Sequence, residues 1–159
     1  MPKETKRWKK GRGKLGVLAP LLGNWSAFAE TPMGTAKCTR TYTPVLSSSY
    51  IELTATWEFG KGAYVEHAMI GVNREGVITF WSFTNDGKNS IGHLVEASDI
   101  HLEAIAFEAE MPAGLARMAY WPDEEHIGFY FVVESKNKKG WNRFLKHHYL
   151  PNEPLEGSN

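Results

Sequence analysis

Arg40 and Tyr42 stand two residues apart in Lys37-Cys38-Thr39-Arg40-Thr41-Tyr42-Thr43, so in extended backbone they share one face with Cys38. A guanidinium presents a rigid fork of N–H donors and a phenol adds another, the donor set that grips a carboxylate. If this face looks inward, the pair is a clamp; at a rim, Arg40 would pair with an acid on a neighbouring strand. Arg117, in phase with Leu115 and Trp121, offers the same chemistry elsewhere. The six histidines include no pair at a metal-ligand spacing such as H-E-x-x-H, so no metal site is expected. The single cysteine, Cys38, rules out an intrachain disulfide framework.

Catalytic signatures are thin. There is no G-x-S-x-G elbow, and His101-x-Glu103 lacks the P-C-x-x-C of a zinc deaminase. Glu66 and His67 are adjacent and would face opposite sides of a strand. Gly11 to Gly16 spells G-x-G-x-x-G, but a lysine-rich stretch precedes it where a dinucleotide site needs a strand. The chain reads as a binder more than an enzyme. The enzymatic alternative acts on a small carbonyl or carboxylate substrate through His67 or Arg40.

The elements that must hold these residues are strands. From Tyr50 to Phe59, Ile51, Leu53, Ala55, Trp57 and Phe59 alternate with Glu52, Thr54, Thr56 and Glu58. Turn residues recur every ten to twelve positions and cut the chain into about ten segments, with links too short for crossover helices. This predicts an all-β fold, an up-and-down antiparallel barrel of about ten strands after a short helical turn at Leu15–Leu22. A two-sheet sandwich is the alternative. Strand parity predicts an inner set of Leu53, Ala55, Trp57, Val65, His67, Met69, Trp81, Phe83, Phe129, Phe131 and Leu145, with Trp141, Arg143, His147 and Tyr149 in one row. Such a lining suits a small hydrophobic or amphipathic molecule, although small barrels also pack solid.

Charge is unevenly placed. Residues 1–14 carry seven Lys/Arg and one acid, leaving eleven basic and seventeen acidic residues for the body. A basic arm can meet nucleic acid, but the acidic body opposes that. The expected division is a flexible basic arm over 1–14, one barrel domain over 15–150, and a flexible tail over 151–159. The apolar run Leu15–Leu22 is interrupted by Gly16 and Pro20, too short for a membrane span and poor as a secretory signal. With an unpaired thiol, that points to the cytoplasm. An exposed aromatic face would leave room for a homodimer.

Gly23-Asn24-Trp25, after a helical turn and opening the first strand, resembles the G-x-W start of the calycin superfamily of lipocalins and fatty-acid-binding proteins. Leu22-Gly23-x-Trp25, the break at Ser47–Ser49 and Gly71-x-Asn73 before Trp81-Ser82-Phe83 are similar to a small bacterial lipocalin-like family. The resemblance implies that Trp25 plugs one barrel end and that Arg143, on the last strand, packs over it. It also implies a non-catalytic ligand binder. Nitrobindin-like relatives bind haem through a histidine near the last strand, a place that His147 or His148 matches. The chain lacks the T-D-Y motif of secreted lipocalins, and Thr31–Thr35 is too short for the helical lid of fatty-acid-binding proteins.

Overall fold

A computed structural model describes residues 8–152, except Met33 and Ala113; most of the basic arm (1–7) and of the tail (153–159) lies outside the described residues. A 3-10 helix, Gly16–Leu21, precedes ten strands: β1 (Gly23–Thr31), β2 (Gly34–Val45), β3 (Tyr50–Phe59), β4 (Gly62–Val72) and β5 (Ile78–Thr84). They continue as β6 (Asn89–Val95), β7 (Ile105–Met111), β8 (Gly114–Pro122), β9 (Phe129–Asn137) and β10 (Gly140–Pro151). Each pairs antiparallel with the next, and β1 pairs with β10, so the sheet closes on itself. That closure removes both edges and excludes the sandwich. Among the described residues, no helix is long and apolar enough to cross a membrane.

The closing seam is short. Trp25 pairs with Pro151 and Ser26 with Leu150, extended by Asn152 N–H donating to the Asn24 carbonyl at 2.9 Å. The 3-10 helix seals the adjacent end. Leu18 and Leu21 are fully buried there, and the Trp25 indole N–H donates to the Leu21 carbonyl at 2.8 Å. The indole meets Phe129 edge-on, 4.7 Å between centroids. Trp8 joins this floor, its N–H on a Glu103 carboxylate oxygen, so the basic stretch is seated from residue 8 onward. The expected partner of Trp25 is corrected here: Arg143 lies on the outside, bonded to Glu134 at 3.0 Å and 5.6 Å from the Trp121 ring. The register slips between Arg143 and Leu145, and this bulge at Phe144 puts Arg143 and Leu145 on opposite faces.

Two strands also start later than their turn signals suggest. Residues 96–104 form an outer loop in which Ala97, Ile100 and Ala104 pack on Ala106, Ala119, Trp121 and Val132. Arg117 anchors it through Asp99 at 2.7 Å while bonding Glu134 at 2.8 Å. Residues 123–128 fold around Asp123, whose carboxylate accepts from the N–H groups of Ile127 and Gly128.

Candidate functional site

Pairing transmits the inner face from strand to strand. β2 alternates with Ala36, Cys38, Arg40 and Tyr42 buried, and β3 answers with Ile51, Leu53 and Ala55. Leu53 pairs with Ala68 and Ala55 with Glu66, which sets the inner row of β4 as Glu66, Ala68 and Ile70. Those residues pair onward with Thr84, Ser82 and Phe80. The inward placement expected for Val65, His67 and Met69 is therefore off by one residue, and so is that of Trp81 and Phe83. His67 is exposed and bonds Glu52 at 2.5 Å on the outer surface; Phe83 is 59% exposed. Met69, Trp81 and Ile91 form an outer cross-strand row. The reason is room: Phe80 already fills the interior at this level, its ring lying where a Cβ on Gly92 would be, 2.4 Å away. Arg117 is likewise outside, held by Asp99 and Glu134.

Leu53, Trp57, Phe129, Phe131 and His147 do lie on the inner face, together with Arg40 and Tyr42. Arg40 is 3% exposed. Its Nε donates to the Tyr42 hydroxyl at 3.0 Å, its Nη2 to the Tyr120 hydroxyl at 2.8 Å, and the two hydroxyls bond each other at 2.6 Å. The Phe131 ring covers the guanidinium at 4.3 Å. Among the described residues, no carboxylate reaches ion-pair distance of Arg40. Burial by itself disfavours the charged guanidinium, yet the electrostatics of Tyr120, Tyr42, Tyr149 and Glu66 outweigh it and hold its pKa well above the ordinary value. Burial in turn pushes both phenols up. The proton count is informative. Both phenol oxygens accept from Arg40 and a single bond joins them, so one of their two protons is left over to donate outward.

Beside this triad lies a cavity of about 20 Å³ lined by Arg40 and Tyr120, with Glu66 also on its wall and Leu53, Phe80 and Phe107 among its apolar sides. The Ser82 hydroxyl donates to Glu66 at 2.5 Å. The space at this site admits roughly one or two waters, narrower than the aromatic-lined cavity for one small ligand expected from strand parity. A roomier groove of about 190 Å³ lies outside, between Trp8, Val17, Leu102 and Ile105, without such converging donors.

His147 and Tyr149 face inward from β10. The His147 ring lies 5.0 Å from Trp57, and its Nδ1, like the Tyr149 hydroxyl, is buried with no hydrogen-bond partner. Burial lowers the His147 pKa, and the Arg40 charge adds to this. Burial raises the Cys38 thiol, keeping it from the reactive thiolate. His148 is on the outer face, bonded to Asp123 at 2.8 Å and stacked on Tyr130 at 4.6 Å. An inward imidazole is the donor that haem iron would need; the rings of Trp57, Tyr149 and Phe131 stand 5.0, 6.0 and 6.5 Å from it. No described group of three or more His, Cys, Asp or Glu residues is arranged to hold a metal ion.

Tyr120 and Glu66 were not legible as site residues. In β8 the aromatic pair Tyr120-Trp121 makes either parity plausible, and Trp121 is outside because the 96–104 loop covers it. In β4 the acid occupies an inner position that apolar patterning assigns to its neighbours.

No family model matches the chain, and no curated protein matches it. Its fold is similar to the crystal structure of Rv2717c from M. tuberculosis, with TM-score 0.58 and 13% identity over 89% of this chain and 99% of that one. At that identity the likeness concerns the fold alone, a closed antiparallel barrel.

Proposed function

We propose that the barrel binds, without transforming it, a slim amphipathic molecule whose acidic head sits on Arg40 and the spare phenol proton of the Tyr42–Tyr120 pair. Its apolar body lies along Leu53, Ala68, Phe80 and Phe107. The observation that carries this reading is a buried guanidinium whose hydrogen bonds go to two hydroxyls and whose face is covered by a ring, with no acid among the described residues at ion-pair distance. Taking a charge out of water costs several kcal/mol, and an arriving carboxylate offsets much of that cost. A water-sized space beside Arg40 favours a flat, narrow carboxylate over a tetrahedral phosphate. Met118, unbranched and on the same wall, can yield as the head displaces water.

The enzymatic reading loses its base, because His67 points away from Arg40 into solvent. Thermal unfolding with hexanoate, hexanol and pentylamine at equal concentration tests binding. Hexanoate at 100-fold over its Kd should add about 2.7 kcal/mol of stability, with hexanol and pentylamine well below it. Arg40→Met should abolish the gain. Equal effects of hexanoate and hexanol, or a full hexanoate effect in Arg40→Met, would overturn the reading.

A further inference from the structure

We infer that the interior site takes a zwitterion, an α-amino acid-like molecule with an apolar side chain, whose carboxylate sits on Arg40 and whose ammonium sits on Glu66. This inference rests on the binding reading above and narrows it. Arg40 and Glu66 line the same small cavity yet are not ion-paired with each other. Glu66 has one oxygen engaged by Ser82, and the other has no partner among the described residues. The cavity thus offers donors of one sign and an acceptor of the other on its walls.

Charge balance then selects between ligands. Arg40 and Glu66 together are neutral, so a simple carboxylate brings an uncompensated negative charge into an apolar surround, facing Glu66. A zwitterion brings none: each of its charges meets an opposite one, in charge-assisted hydrogen bonds about twice as strong as neutral ones. Adjacent carboxylate and ammonium groups on one carbon keep the head compact, as the space requires. The remaining walls are apolar, which matches an alkyl side chain rather than a polar one, and the water-sized space would have to widen by movement of Met118 to receive it.

Calorimetric titration of the full chain with norleucine, hexanoate and pentylamine, which differ only in the ammonium or the carboxylate, tests this. Norleucine should bind at least about tenfold tighter than hexanoate, the worth of one charge-assisted bond. Glu66→Gln should erase that preference while leaving hexanoate binding intact or stronger. Ser82→Ala, which only frees Glu66 to turn, should reduce the preference in part and guards against a Glu66 variant that fails to fold. Hexanoate binding with no gain for norleucine would overturn the zwitterion and leave the carboxylate reading standing. Binding of neither would overturn both, and a preference unchanged in Glu66→Gln would also remove Glu66 from the site.

Discussion

Removing the Arg40 guanidinium and removing one of the phenols that hold it should have opposite consequences for folding. Arg40→Met takes away the buried charge and leaves Tyr42 and Tyr120 bonded to each other, so urea unfolding should show little loss, or a gain of up to about 4 kcal/mol. Tyr120→Phe keeps the charge and strands an Nη2 donor, which should cost about 1–3 kcal/mol. Titrating groups add a pH dependence with a definite sign. Burial depresses the His147 pKa, so the unfolded chain binds the proton more readily; stability is full above about pH 6.5 and falls as pH drops toward the folded pKa. Burial raises the Asp123 carboxyl, but His148 and the N–H groups of Ile127 and Gly128 prevail and lower it. Its contribution is present above about pH 4 and lost as pH falls through the folded value. His147→Gln should flatten the upper part of the stability profile and Asp123→Asn the lower part, both measurable by urea titration at stepped pH. The Arg40–Tyr42 face was readable because Cys38, Arg40 and Tyr42 alternate with threonines. The Glu66 position was not, since a half-buried acid reads as a surface residue until a partner strand fixes its face.

The strand rhythm was legible at the scale of elements, because most turns carry Gly, Pro, Asn or Asp; the β2–β3 turn instead puts Leu46, Ser47 and Ser48 at positive φ. What escaped was phase. A one-residue error in β4 propagates to β5 through pairing, and so moved His67, Met69, Trp81 and Phe83 together. In β10, apolar residues continue through the bulge, so no local signal marks where the faces exchange. Phe144 itself is 62% exposed, and Phe144→Ser should change stability by no more than about 0.5 kcal/mol. Deleting Phe144 should instead force Trp141 and Arg143 toward the interior, separating Arg143 from Glu134 and Trp141 from its 4.3 Å contact with Arg117. A large fall in melting temperature for the deletion, beside a near-native value for the serine variant, is the expected pair of results.

Closure is the property of the whole molecule on which the site depends, since it brings β2 opposite β8 and β9 and so sets Tyr120 and Phe131 against Arg40. Trp25 anchors it at the sealed end, and Trp25→Ala should cost about 3–5 kcal/mol in urea unfolding. The seam between β1 and β10 has only two register pairs, against nine between β2 and β3. Amide exchange should therefore be faster at Ser26 and Leu150, in the seam, than at Arg40, Tyr42, Leu53 and Ala55, paired in the middle of β2 and β3. Closure itself followed from ten short-linked strands and the G-x-W start, whereas the fullness of the interior did not, because composition counts aromatic residues without saying which face they take. A crystal structure of the protein grown in hexanoate tests the central claim most directly. The carboxylate should lie inside the barrel within hydrogen-bond distance of Arg40 and the Tyr42–Tyr120 pair, its chain along Phe80 and Phe107. Hexanoate seated only in the outer groove beside Trp8 and Leu102, with the Arg40 surroundings unchanged, would contradict it.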